Sequence, residues 1–360
     1  MGSAYLHTHL MPLSHGGDLL RLQRSLPSTS ELQWIDLSSA VNREPWPVPA
    51  IPAESWMELP DLQCLLTAAR SYYGRAELLP IAGTQQAIEW LPVLLPSLAK
   101  ERLNPSQSCR PSQKVMLPAI GYQEHAFAWQ KWGYEICTYH SLDELLCTDW
   151  LVAVVIQPNN PTAERYQSAQ LQALVELAHS RQAWVLVDEA FIDAIEEQSL
   201  LTKTWTQAWP DGLIVLRSVG KFFGLAGARV GFCFAPEALL NALQLTIGPW
   251  PISTASAYVV AQALQDVAWQ EGARKSLQQR QQNWRERLLP RINDLGYGGR
   301  WAESELFFSL TLGTETQAKR LYEQLQSMGI HVRLGSTWLR FAIPSFAEFG
   351  QLETRLVALL

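Results

Sequence analysis

Apolar residues in this chain fall into short continuous runs separated by stretches of helical spacing. Leu151–Ile156, Ala183–Val187, Leu213–Leu216 and Val230–Ala235 read as buried strands. Between the first two, Leu171, Leu174, Val175 and Ala178 recur on one helical face. Strand, helix and strand in that order imply a parallel sheet and an α/β fold. The pattern breaks at Ile247-Gly248-Pro249-Trp250-Pro251. A long polar helix is expected from Thr254 to Leu289, bridging to a smaller unit. There Leu306–Leu312, Ile330–Leu334 and Trp338–Ile343 read as strands, and Leu321, Leu325 and Met328 mark a helix. The spacing therefore predicts an irregular arm over 1–45, a large unit with a mostly parallel sheet over 46–245, and a bridging helix with a small α+β unit over 246–360. Ser106–Ser112 reads as a polar loop.

Composition narrows the class. The chain has 360 residues, 48% of them hydrophobic and 17% charged, enough for two cores in an ordinary globule. A formal charge of -6 gives no reason to expect nucleic acid or an anionic membrane surface, so any anionic ligand would rely on a local basic pocket. Cys64, Cys109, Cys137, Cys147 and Cys233 are scattered and lack metal-ligand spacing, which points to reduced thiols in a cytoplasmic protein and to no metal site. Met1–Leu13 lacks a basic start and is a poor signal peptide. No run approaches a membrane span.

Chemistry concentrates at the ends of the apolar runs. Leu213–Leu216 is followed by Arg217-Ser218-Val219-Gly220-Lys221, then Gly224, Gly227 and Arg229. A lysine delivered at a strand end beside a hydroxyl and a guanidinium suits pyridoxal 5'-phosphate (PLP): the amine forms a Schiff base, and Ser218 and Arg229 hold the phosphate. Lysine and arginine near glycines are also ordinary solvated turn residues. Gly220-Lys221 is no P-loop, because Phe222 stands where Ser or Thr is needed. Gly224 and Gly227 are no dinucleotide fingerprint, since a glycine is missing two residues before Gly224. Val185-Leu186-Val187 runs into Asp188, a carboxylate at a strand end that can pair with a protonated pyridine nitrogen or merely cap a helix. Gln157-Pro158-Asn159-Asn160-Pro161-Thr162 is a turn that can aim the Asn160 amide at a ring oxygen. Gly83-Thr84-Gln85 opens a helix, where backbone amides suit phosphate.

The order Gly83-Thr84-Gln85, Asn159-Asn160-Pro161-Thr162, Asp188-Glu189-Ala190-Phe191 and Ser218-x-x-Lys221-x-x-Gly224-Leu225-Ala226-Gly227-x-Arg229 resembles the class I/II aminotransferase superfamily of fold type I PLP enzymes, over nearly the whole chain. His15-Gly16-Gly17-Asp18, Trp34–Ser39, Asn42, Pro45–Pro49 and Gly121–His125 are similar to the L-threonine O-3-phosphate decarboxylases of cobalamin biosynthesis, close relatives of histidinol-phosphate aminotransferases. The resemblance implies PLP as cofactor and Lys221 as its Schiff-base lysine and proton shuttle. It implies Asp188 at the pyridinium, Asn160 at the ring oxygen, and Tyr122 stacked on the ring. Gly83, Thr84, Gln85, Ser218 and Arg229 would then surround the phosphate. Arg340, in an apolar run, would grip the substrate carboxylate, with Arg333 on the substrate phosphate. His15, Gly16 and Asn42 would complete the substrate site, and a homodimer is expected. An aminotransferase acting on an amino-acid phosphate such as histidinol phosphate, and a non-catalytic binding protein, use the same pattern. Three positions depart from it. Phe191 and Leu59 stand where many relatives have tyrosine, and Ala40 where the decarboxylases have glycine.

Overall fold

The computed structural model describes residues 13, 15–25, 33–102, 113–203, 205 and 209–360. The expected loop over 106–112 and Cys109 lie outside them. Within the N-terminal arm, expected to be irregular, a helix spans Leu19–Ser25 and a strand, β1, spans Ile35–Asp36. The central sheet holds β2 (Leu78–Ile81), β3 (Lys114–Pro118), β4 (Glu135–Tyr139), β5 (Val152–Ile156), β6 (Trp184–Asp188), β7 (Leu213–Ser218) and β8 (Gly231–Phe234). Its order is β2-β8-β7-β6-β5-β3-β4. β8 runs antiparallel to both neighbours and the other pairings are parallel.

The continuous apolar runs have a simple cause. A parallel strand covered on both faces must be apolar on both. Side chains alternate across the sheet, so Val185 and Val187 join the core on one face while Leu186 joins the core on the other. β5, β6 and β7 then end in polar residues, Gln157, Asp188 and Arg217-Ser218, at one edge of the sheet.

The C-terminal part builds a four-stranded antiparallel sheet, β12-β13-β10-β9, from β9 (Arg300–Glu303), β10 (Phe307–Thr311), β12 (Arg333–Leu334) and β13 (Trp338–Ala342). Between β10 and β12 lies β11 (Ile330–His331), which pairs with β1 instead. The single strand expected over Ile330–Leu334 is therefore divided between two sheets, with Val332 buried at the switch. The expected helix Thr254–Leu289 is also divided. Asp266 leaves helical geometry, with φ −83° and ψ 75°, and its side chain accepts from the Trp269 amide. It thereby caps a second helix, Val267–Asn283, a role short acidic side chains fill well. Beyond it, Trp284–Leu288 forms a wider π-helical turn. Among the described residues, Cys64, Cys137, Cys147 and Cys233 are free thiols, and no helix is long and apolar enough to cross a membrane.

Candidate active site

One pocket opens at the carboxyl ends of the central strands, the edge where open α/β sheets collect ligands. It is lined by Gly83, Thr84, Gln85, Tyr122, Asn160, Asp188, Ser218, Lys221 and Arg229, together with Phe191 and apolar neighbours. The fold thus brings together every residue that the sequence pattern offers for a cofactor, from β2, β3, β5, β6, β7 and β8.

Lys221 lies in a single helical turn, Val219–Phe222, directly after β7. Its amine is held down to about 8, first by burial and then by the Arg340 and Arg229 cations, against the pull of Asp188. The ammonium sits 5.4 Å from the centre of the Phe191 ring. A desolvated lysine near neutrality is a ready nucleophile and proton carrier.

Asp188 ends β6 and is buried. Its Oδ2 meets His125 Nε2 at 2.9 Å, and its Oδ1 accepts from the Ala190 amide at 3.1 Å. His125 is fully buried and its Nδ1 has no hydrogen-bond partner. The sequence pattern contained His125 only as part of a resemblance and gave it no role. The missed signal is its helical spacing to the apolar Ala128 and Trp129, with which it and Glu124 form the buried side of the helix.

The Gly83 turn and Arg229 are built against each other. Gly83 has φ +74°, and a Cβ there would stand 2.8 Å from the Arg229 guanidinium. Glycine is therefore required both for the left-handed backbone and for the close approach. Arg229 itself has φ 53°. The result is a cation pressed to the start of the helix Thr84–Arg102, an arrangement suited to phosphate. Tyr122 is pushed above its ordinary value by burial and by Glu124, so it stays neutral. Its hydroxyl donates to Gln85 Oε1 at 3.5 Å.

The C-terminal sheet contributes two cations. Arg333 and Arg340 face each other in register on β12 and β13. Arg340 Nη1 donates to Asn160 Oδ1 at 2.5 Å and Nη2 to the Ser38 carbonyl at 2.7 Å, while its buried Nε has no partner. Burial and then Arg333 push Arg340 below its ordinary value, yet a guanidinium stays charged in proteins. Arg333 is half-buried and is also pushed down by burial, with Asp18, Tyr122 and Tyr322 opposing.

The N-terminal segment lies near Tyr122, with the His15 and Tyr122 rings 6.3 Å apart. His15 Nε2 lies 2.7 Å from Glu124 Oε1, and His331 Nε2 lies 3.0 Å from Asp18 Oδ1. Gly17 donates its amide to Ser38 Oγ at 2.7 Å. A Cβ on Gly16 would stand 2.2 Å from the Ser38 carbonyl oxygen. Asn42, offered by the sequence as a substrate residue, is buried, with its side chain engaged by Phe222, Glu44 and Arg280. Like Arg333, Arg340, His15 and Gly16, it is not among the residues that line the pocket itself.

Beneath the pocket lies a buried ionic cluster that the sequence did not announce. Arg217, Glu189, Asp193 and Ser199 are all fully buried. Arg217 Nη2 meets Asp193 Oδ1 at 2.5 Å and Nη1 meets Glu189 Oε2 at 3.4 Å and Ser199 Oγ at 3.0 Å. This ties the residue after Asp188 to the residue before Ser218.

Fold and site together define an α/β protein of the fold type I class. The family model for aminotransferase class I and II matches residues 53–348, and the chain belongs to that family. It is 38% identical over 258 residues to the threonine-phosphate decarboxylase of Pseudomonas aeruginosa, covering 71% of each chain. To the histidinol-phosphate aminotransferase of Yersinia enterocolitica it is 40% identical over 110 residues, 31% of this chain and 28% of that one. The fold is that of the histidinol-phosphate aminotransferase from Sinorhizobium meliloti solved in complex with pyridoxal-5'-phosphate, with TM-score 0.65, 17% identity, and coverage of 86% and 85%.

Proposed function

We propose that this protein is a PLP-dependent decarboxylase that converts L-threonine O-3-phosphate to aminopropanol phosphate and carbon dioxide. The observation that carries the reading is the buried Lys221 amine, held down to about 8, facing a His125-backed Asp188 and an anion-binding turn in one pocket. These groups fit PLP. Gly83, Thr84, Ser218 and Arg229 would take its phosphate, Asp188 its ring nitrogen, Asn160 its ring oxygen, and Tyr122 one ring face. When bound, PLP supplies an electron sink for a bond broken at the substrate's Cα.

The chain's own residues do the rest. Arg340, with one donor uncommitted, holds the substrate carboxylate, and its bond to Asn160 keeps that amide oriented. Arg333 receives the substrate phosphate on the same sheet face. His15, Gly16 and Gly17 would fold over that phosphate and limit the entry of water. Lys221 returns a proton to Cα after carbon dioxide has left, and an amine near 8 can carry that proton at neutral pH. The longer match to a decarboxylase than to an aminotransferase supports decarboxylation over transamination. The exposed apolar residues Trp56, Met57 and Leu59 support a homodimer, since patches of this kind mark interaction surfaces.

The test is a product assay with PLP and L-threonine O-3-phosphate and no keto-acid acceptor. Equal amounts of carbon dioxide and aminopropanol phosphate over many turnovers are expected. No carbon dioxide, with turnover of histidinol phosphate only when 2-oxoglutarate is added, would make the protein an aminotransferase.

A further inference from the structure

Lys221 is held from behind by a residue far away in sequence. Its main-chain carbonyl accepts from the Asn42 amide at 2.9 Å, and the next carbonyl, of Phe222, accepts from Asn42 Nδ2 at 3.0 Å. The fit leaves no slack. A Cβ on Gly224 would lie 2.5 Å from Pro45 Cβ and 2.9 Å from the Asn42 carbonyl oxygen, so segment 42–45 lies directly against the turn that follows the lysine.

Asn42 is in turn fixed by Arg280, which donates to Asn42 Oδ1 at 2.7 Å. Arg280 is fully buried on the helix Val267–Asn283. Its other donors meet Ser276 Oγ at 3.2 Å and the Pro344 carbonyl at 3.3 Å, and Glu44 stands 3.6 Å away. Pro344 lies just past β13, the strand that carries Arg340. Burying a guanidinium is costly, and burial indeed pushes Arg280 below its ordinary value despite Glu44 and Glu348. An apolar residue would fill the space at less cost but could not orient the Asn42 amide. The shared function of these contacts is therefore to fix the backbone at residues 221 and 222.

We propose that Asn42 and Arg280 are positioning residues that hold the Lys221 turn in its dry site. The proposal rests on the reading of Lys221 as the cofactor-bearing amine. The amine owes its low value chiefly to burial. A turn released from Asn42 lets the amine reach water, and its proton affinity then rises toward that of an ordinary lysine.

The experiment uses the cofactor-free full chain and no substrate. The rate of PLP uptake is followed by visible absorbance from pH 6 to 10, because only the neutral amine attacks. Wild type, Asn42→Ala, Arg280→Lys and a control, Leu325→Ala, are compared, each with a thermal melt. Leu325 is fully buried in the C-terminal core, and its truncation lowers stability far from the lysine. The expected wild-type midpoint is about 8. In both clamp variants it should rise by about one unit, which cuts the neutral fraction at pH 8 from about one half to about one tenth and slows uptake about fivefold. At pH 10 the rates should converge. Leu325→Ala should melt lower and keep the wild-type midpoint. If Asn42→Ala does not fold, Arg280→Lys carries the test. An unchanged midpoint in the clamp variants that fold, or an equal shift in Leu325→Ala, overturns the proposal. Wild-type protein that takes up no PLP overturns the cofactor reading and this proposal together. Uptake with the expected shifts but no carbon dioxide from L-threonine O-3-phosphate overturns only the decarboxylase reading.

Discussion

Replacing Arg217 with methionine isolates the buried ionic cluster under the pocket. The substitution keeps the volume roughly constant and removes the cation that faces both Glu189 and Asp193 at zero exposure. Ser199 and the Leu200 amide still bond Glu189, at 2.5 and 2.8 Å. Tyr72 still donates to Asp193, at 3.1 Å. The carboxylates therefore keep hydrogen bonds and lose their counter-charge. Breaking a buried pair by removing one partner costs roughly 3–5 kcal/mol.

The cost depends on pH in a definite direction. Glu189 is already raised above its ordinary value by burial, with Arg217 the first opposing influence. Without Arg217 it rises further. A carboxyl whose folded value lies above its unfolded value binds more protons when folded, so its penalty is full above the folded value and fades as pH falls toward the unfolded one. The variant should therefore lose about 3–5 kcal/mol at pH 8 and distinctly less at pH 5.5. Urea denaturation followed by tryptophan fluorescence at both pH values measures this. Adding Glu189→Gln to the variant should recover part of the loss at pH 8, since one uncompensated charge is gone. A loss below about 1 kcal/mol, or a loss that does not change with pH, would refute the reasoning.

Three further outcomes are expected. Lys221→Ala should fold, yet fail to develop the visible absorbance of bound PLP and lose at least about a thousandfold in turnover, checked by absorbance and product release. Arg340→Lys leaves the Asn160 and Ser38 oxygens short of donors. At about 1.5–3 kcal/mol per charge-assisted bond it should lower kcat/KM about a hundredfold in steady-state assays. Gly16→Ala cannot keep the N-terminal segment against Ser38. It should raise KM about tenfold with kcat and the melting temperature little changed, because in the proposed function this segment folds over the substrate phosphate.

The four motif segments at the ends of β2, β5, β6 and β7 are legible in the sequence. A doubly covered parallel strand demands an unbroken apolar run, and the polar residue that ends such a run must have a use. That logic put Lys221, Asp188 and Asn160 at strand ends, and the family resemblance implied that they share one cofactor site with the Gly83 turn. Spacing alone did not show that Ile330–Leu334 serves two sheets, nor that Asp266 ends one helix and caps the next. Both depend on which partner strand or cap is nearby. The same limit explains the contacts that were missed. His125 reads as one of several polar residues on a short mixed helix, and Arg217 as a strand residue like its neighbours. Asn42 reads as a loop amide free for a ligand. Their roles come from contacts 63, 28 and 238 residues apart in sequence, His125 to Asp188, Arg217 to Glu189 and Asn42 to Arg280. Local periodicity records whether a side chain faces inward. Only the folded chain decides which charge or amide it meets there, because burial makes an unpaired polar group costly and leaves the choice of partner to tertiary packing.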